Sequence, residues 1–285
     1  IAAPTVRAVI WRGAGKSWSS GRDVGSIGTN TTELTHHELM TRGHRGIQRI
    51  WELEAPIIVA IQGWAIGGSF QRALLCDIRV AAEGARFMLP EVGHGVIPDT
   101  GGMGVLYEMC GHGLVSDMVL TGRLLSADEA LAHGIVSRVV APDELDATAR
   151  EMAERIAASP AVTVKLARRV ISHLARPQLR SSMDDELIYQ TFLNKSDDFA
   201  EFKAARAEER DPVYRGSCAE RCRHPRYPDP RAAGAPAPRI VGAARRHLRR
   251  CRRARHRWWY GAREGCRHRI RSTRRVDRHR QSQRR

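Results

Sequence analysis

Lysine disappears from this 285-residue chain after Lys203. From Gly216 to Arg285 there are 23 Arg and no Lys, set against four acids (Glu220, Asp229, Glu264 and Asp277), a net of +19. The formal charge of the whole chain is +16, so residues 1–215 together carry −3. The basic character, which taken whole suggests a nucleic-acid binder, is therefore confined to the tail. Long apolar runs are also lacking. No stretch approaches the length of a membrane-crossing helix and no signal peptide opens the chain, so the expected setting is soluble and cytoplasmic, with no membrane partner. Cysteine is scarce in the body, where only Cys76 and Cys110 occur, each inside an apolar helical pattern that reads as a buried, inert thiol. A body without disulfides suits a reducing compartment.

The apolar fraction, 42%, is that of an ordinary globular protein, and the length allows one large core or two small ones. Val6–Ile10 reads as a buried strand, Thr35–Leu53 as a helix stopped by Pro56, and Ile57–Ile61 as a second buried strand. Gly68–Cys76 has helical composition and Ile78–Ala81 returns to strand. Strand alternating with helix predicts a layered α/β fold. Ser126-Ala127-Asp128-Glu129 is a capping box with Gly134 as the helix stop. Asp143 opens a helix whose Leu145, Ala149, Met152 and Ile156 share one face. From Ser181 to Arg210 the pattern stays helical but richly charged, as for helices lying over a partner subunit. After Arg215 apolar periodicity ends, and disorder is expected. The expected divisions are 1–142 as the core, 143–215 as a C-terminal helical oligomerisation region, and 216–285 as the Arg-rich tail.

Gly13-Ala14-Gly15-Lys16-Ser17 follows a strand but is not a nucleotide loop. A phosphate loop needs glycine where Ile10 stands, and a dinucleotide fingerprint needs glycine where Trp18 stands. What remains is two strand ends with small-residue turns, one running to Ser19-Ser20-Gly21-Arg22-Asp23-Val24 and one through Gly63-Trp64-Ala65-Ile66-Gly67-Gly68-Ser69 into a helix. Backbone N–H groups at such turns can converge on an oxyanion. Taken alone, the spacing equally fits two tight turns. In the body no paired His/Cys/Asp spacing suggests a metal. In the tail, Cys218, Cys222 and His224, then Cys251, Cys266 and His268, have ligand chemistry without a supporting pattern.

Val6 through Asp23, Ile57 through Ala82 and Phe87 through Gly102 resemble, in order, the three sequence blocks of the crotonase (enoyl-CoA hydratase/isomerase) superfamily. Leu120-Thr121-Gly122, Ala132-His133-Gly134-Ile135-Val136 and Arg210-Asp211-Pro212 match its later stretches. The resemblance covers about residues 6–215. It implies an α/β crotonase-type fold, a spiral core of repeated strand–helix turns followed by C-terminal helices. It also implies an acyl-coenzyme A substrate, fatty-acid chemistry, and a homotrimer or hexamer. No separate cofactor is implied, because coenzyme A belongs to the substrate.

Carried over residue by residue, the oxyanion hole falls on the backbone N–H groups of Arg22 and Gly68. Ser20, Asp23 and Val24 line the coenzyme A channel, and Trp64, Gly67 and Pro90 lie near the acyl group. Glu91 is the acid/base, with Asp99 a second catalytic candidate or else a turn residue near the cap of the following helix. The first hydratase glutamate falls at Gln71, which cannot exchange a proton at neutral pH, so isomerase or other non-hydratase chemistry is expected. His94, between Glu91 and Asp99, is either structural or a further acid/base.

Two departures from the family pattern matter. The strand hairpin and Asn-Ala-Leu helix that open the family precede Val6 and are not in this sequence, so an N-terminally truncated, inactive homologue is one alternative. The tail resembles out-of-frame translation of GC-rich DNA. The other alternative is RNA binding through its Arg residues and Trp258, Trp259 and Tyr260.

Overall fold

The structure is a computed structural model that describes residues 6–23 and 34–216. Val24 and the tail from Ser217 onward lie outside the described residues. The elements in chain order are β1 (Val9–Arg12), α1 (His36–Glu52), β2 (Ile57–Ile61), β3 (Trp64–Ile66), α2 (Gly68–Leu74), β4 (Ile78–Ala82), β5 (Arg86–Met88), a 3₁₀ turn at Glu91–His94, and α3 (Gly102–Thr121). Then follow β6 (Leu125–Ser126), α4 (Ala127–Ala132), β7 (Arg138–Val140), α5 (Leu145–Ala158), α6 (Ala161–Leu193) and α7 (Asp197–Ala207).

The core is a spiral. β2, β3 and α2 make one turn; β4, β5 and the 3₁₀ turn make the next. β2 pairs in parallel with β4, and β3 with β5, so the second turn stacks on the first. The larger sheet has the order β1-β2-β4-β7 and the smaller β3-β5-β6. β2 is the centre of this arrangement, and all five of its residues are buried. Its Ile57, Val59 and Ile61 join the main core with Phe70, Phe87 and Leu106, while Ile58 and Ala60 face Leu145 and Ala149 of α5. A strand covered on both faces reads as an unbroken apolar run, which explains its sequence.

Local chemistry sets the boundaries. Ser126 caps α4 by accepting the Glu129 N–H, and the Glu129 side chain accepts the Ser126 N–H in return. α1 carries the same reciprocal pair between Thr35 and Glu38. Asp77, just after α2, accepts the Ile57 N–H at 2.7 Å and pairs with Arg168 at 2.9 Å, tying β2 to α6. Arg168 in turn donates to the carbonyls of Ile50, Trp51 and Leu53 at the end of α1.

Two expectations need correction. The first strand is Val9–Arg12 rather than Val6–Ile10, because its register follows β2, Val9 opposite Ile57 and Arg12 opposite Ala60. It is an edge strand, so Ile10 and Trp11 are exposed rather than buried. The stretch from Ser181 to Arg210, expected to lie outside a core because of its charge, contributes side chains to one. Met183, Glu186 and Gln190 of α6 are buried, as are Phe199 and Phe202 of α7. The inward-facing polar groups are satisfied locally: Gln190 Oε1, for one, accepts the Ile97 N–H at 3.1 Å. Among the described residues no helix is long and apolar enough to cross a membrane.

Candidate active site

The two strand ends singled out in the sequence meet. Ser19 forms a parallel bridge with Ala65, its N–H donating to Trp64 O at 3.0 Å and its carbonyl accepting the Ile66 N–H at 3.1 Å. The hydroxyls of Ser19 and Ser69 are 2.6 Å apart. Gly21 has a φ of 90°, and a Cβ there would stand 2.7 Å from Ile66 O, so the chain passes only as glycine. Arg22 is thereby delivered beside the segment Ile66-Gly67-Gly68 that opens α2. Ser20, Arg22 and Asp23 are exposed at this edge, Trp64 is half-buried and Pro90 is buried.

Gly67 is the N-cap of α2, with φ 58° and ψ −136°, backbone space that side chains rarely enter. A Cβ on Gly67 would stand 3.0 Å from Glu91 Oε1. On Gly68 it would meet only Arg72 Nη1 and the Thr100 methyl, both at 3.8 Å. Glu91 and Thr100 thus flank two consecutive residues of one turn, with Gln71 one helical turn further on.

Gln71 is fully buried and spans the gap between them. Its Nε2 donates to Glu91 Oε1 at 3.0 Å and its Oε1 accepts the Thr100 N–H at 3.0 Å. Burial raises the Glu91 carboxyl to about 7; the negative charge of Asp99 adds to the rise, and the Gln71 hydrogen bond opposes it. Glu91 Oε2 is buried without a hydrogen-bond partner among the described residues. Asp99 is also raised by burial, against the opposing charges of His44, Arg22 and Arg72. It stands two residues before Gly101, the N-cap of α3, which lacks a side-chain capping bond.

A third carboxylate belongs to this group and was not read from the sequence. Glu186 of α6 is 1% exposed, accepts the Gly101 N–H at 2.7 Å and the Ser182 hydroxyl at 2.7 Å. Burial pushes it up to about 7, with the charges of Asp99 and Glu91 adding to the rise. Glu186 also borders a cavity of about 390 Å³ between α3 and α6, lined by Ile97, Met103, Tyr107, Val115 and Tyr189 among others. His44, likewise unread, donates from Nε2 to the Asp99 carbonyl at 2.6 Å. His44 sits on α1 at helical spacing, and nothing local marked it apart from its neighbours. His94 has a packing role. Its ring stacks on Phe202 at 4.7 Å, and burial together with the Arg206 charge depresses it to about 4. Among the described residues no group of three or more His, Cys, Asp and Glu is arranged to hold a metal ion.

Comparison with known proteins agrees with this architecture. The family described as Enoyl-CoA hydratase/isomerase matches residues 2–217. The carnitinyl-CoA dehydratase of Salmonella enteritidis is 34% identical over 218 residues, covering 75% of this chain and 83% of that protein. Among solved structures, an enoyl-CoA hydratase/isomerase from Pseudoalteromonas atlantica T6c superposes with a TM-score of 0.66 at 31% identity, over 73% of this chain and 82% of the other. An enoyl-CoA hydratase from Mycobacterium avium subsp. paratuberculosis K-10 does so with a TM-score of 0.66 at 30% identity, over 74% and 81%. The stacked strand–helix turns, the family match and these relatives together make the chain an enzyme of the crotonase superfamily, belonging to the enoyl-CoA hydratase/isomerase family.

Proposed function

We propose that this chain moves a proton at the carbon beside an acyl-coenzyme A thioester, with Glu91 as the group that carries it. The observation behind this reading is the Glu91 carboxyl itself. One oxygen is fixed by Gln71, the other is buried without a hydrogen-bond partner among the described residues, and burial raises the carboxyl to about 7. Such a carboxyl can take a proton and return it near neutral pH.

The thioester oxygen would lie against the N–H groups of Arg22 and Gly68. As Glu91 withdraws the α-proton, the electron pair moves onto that oxygen, and the two donors offset the growing charge. Ser20 and Asp23 would border the coenzyme A moiety, with Trp64, Gly67 and Pro90 around the acyl group. Asp99, within reach of the charges on Arg22, Arg72 and His44, would serve as a second charged group at the reaction centre. Coenzyme A arrives with the substrate, and each step uses groups of this chain.

Gln71 decides which reaction is easiest. Its amide is held at both ends and exchanges no proton, so Glu91 must both take and return the proton unless Asp99 shares the work. A double-bond shift needs only one such group, which removes a proton from one carbon and returns it to another. The relatives named carnitinyl-CoA dehydratase favour a second reading, in which the same enolate chemistry adds or removes water. Supplying the full chain with 3-butenoyl-CoA and 2-butenoyl-CoA separates the two. Interconversion of the double-bond isomers at a rate well above hydration supports the first; hydration as the only reaction overturns it.

The trimer or hexamer implied by the family resemblance is proposed on the apolar face of α6, where Val170, Ile171 and Leu174 stand 62, 65 and 76% exposed. Light scattering on the purified chain tests it, and a monodisperse monomer would exclude it.

A further inference from the structure

Two polar atoms of the site are buried without a hydrogen-bond partner among the described residues: Glu91 Oε2 and Thr100 Oγ1. Thr100 as a whole is only 7% exposed. A buried hydroxyl left unpaired is costly, and its position invites a ligand oxygen. The two residues are joined through Gln71, whose amide donates to Glu91 and accepts from the Thr100 backbone. They also stand against neighbouring points of one backbone turn, Glu91 Oε1 at Gly67 and the Thr100 methyl at Gly68.

From this geometry we infer that Thr100 is a further catalytic residue. Its hydroxyl and the free oxygen of Glu91 hold between them the oxygen that adds to C3 of a 2-enoyl thioester, or that leaves from a 3-hydroxyacyl thioester. The inference rests on the assignment of Glu91 made above. It explains how water is handled with an amide at position 71.

The step balances with one titrating group. A water molecule donates one hydrogen bond to Glu91 Oε2 and receives one from Thr100 Oγ1. Glu91 removes a proton from the water as its oxygen bonds to C3. The C2–C3 π pair shifts towards C1, and the thioester carbonyl pair moves onto its oxygen, giving the enolate. Protonated Glu91 then delivers the proton to C2, the carbonyl reforms, and one molecule of water has been added. Elimination is the reverse. Thr100 keeps its proton throughout; its contribution is to orient the oxygen. The Gln71 carbonyl, which accepts the Thr100 N–H, has no proton to donate to that oxygen.

The test compares two reactions of the full chain: hydration of 2-butenoyl-CoA and α-proton exchange of butanoyl-CoA in D2O. Thr100→Val removes the hydroxyl and keeps the backbone donor to Gln71; Thr100→Ser keeps both. The ratio of hydration to exchange should fall about 10- to 100-fold in Thr100→Val, the worth of one hydrogen bond to a reacting group. It should return in Thr100→Ser. An unchanged ratio in Thr100→Val, or a Thr100→Ser variant as impaired as Thr100→Val, would overturn the role. So would a parent chain that exchanges the α-proton but adds no water, a result that leaves Glu91 in place. Exchange undiminished in Glu91→Gln would instead remove the Glu91 assignment, and this inference with it.

Discussion

Gln71 holds Glu91 by one oxygen only: Nε2 donates to Oε1 at 3.0 Å, while Oε2 is buried without a hydrogen-bond partner among the described residues. A carboxylate anchored in this way is oriented without being neutralised. The amide lowers its pKa, burial raises it, and burial wins, to about 7.

That balance gives a pH dependence. Glu91 acts as a base when deprotonated, so α-proton exchange should rise with pH through a midpoint of about 7. Gln71→Leu removes a donor that favours the charged form, so the midpoint should move upward. A midpoint near the ordinary carboxylate value in the parent, or a downward move in the variant, would contradict the account.

Gly67 and Gly68 should respond differently to the same small change. Gly67→Ala places a Cβ at φ 58° and 3.0 Å from Glu91 Oε1, so it should cost on the order of 1–3 kcal/mol in stability along with activity. Gly68 has no such obstacle, its nearest neighbours lying at 3.8 Å. Gly68→Ala should therefore melt at or slightly above the parent; the backbone N–H remains, but the added Cβ crowds the thioester oxygen away from it, and turnover should fall by roughly 10²–10³, the usual effect of losing one oxyanion contact. Thermal melts and initial rates on both variants check this. Near-parental turnover in Gly68→Ala would place the oxyanion site elsewhere.

Glu186 should make the fold less stable as pH rises. Its carboxyl is raised from 4.5 to about 7, so the folded form binds the proton more tightly than the unfolded form does. The stability this confers is complete below about pH 4.5 and is lost as pH rises through about 7, on the order of 3 kcal/mol. Glu186→Gln keeps an acceptor for the Gly101 N–H and has no charge to bury. Its melting temperature should match the parent at pH 5 and exceed it at pH 8. His94, depressed to about 4, works in the opposite sense below its usual range, so variant and parent are compared at each pH. A variant less stable than the parent at pH 8 would contradict this.

The tail should not contribute to thioester binding. Arg22, Gly67, Gly68, Gln71, Glu91, Asp99 and Thr100 all lie before residue 217, where the family match ends. Removing residues 217–285 should leave acyl-CoA affinity unchanged and abolish any salt-sensitive RNA binding, which follows Arg–phosphate contacts. Calorimetric titration with butanoyl-CoA and an RNA shift assay at two salt concentrations measure both. Weakened acyl-CoA binding in the shortened chain would be the contrary result.

Sequence patterns anticipated the alternation of strand and helix well where local chemistry writes the structure, while the spiral was implied by the family resemblance alone. β2 at Ile57–Ile61 and the Ser126–Glu129 capping box were legible, because a doubly covered strand and a reciprocal cap each leave a pattern within a few residues. The Leu145–Ala149–Met152–Ile156 face of α5 was legible for the same reason. β1 was not, because its register comes from pairing with residues about 48 positions away. Glu186 was not, because on a charged helix it looks like any solvated acid. What distinguishes it is a backbone N–H at Gly101, 85 residues earlier, and a backbone donor has no side-chain signature. Thr100 is hidden likewise, since an unpaired hydroxyl is visible only once its surroundings are known.

The measurement that bears most directly on the central claim is deuterium wash-in from D2O into the α-position of butanoyl-CoA, followed by mass spectrometry for the parent chain and Glu91→Gln. The parent should incorporate deuterium, and Glu91→Gln, melting like the parent, should do so roughly 10²–10⁴-fold more slowly. Equal incorporation by parent and variant would show that Glu91 does not carry the proton.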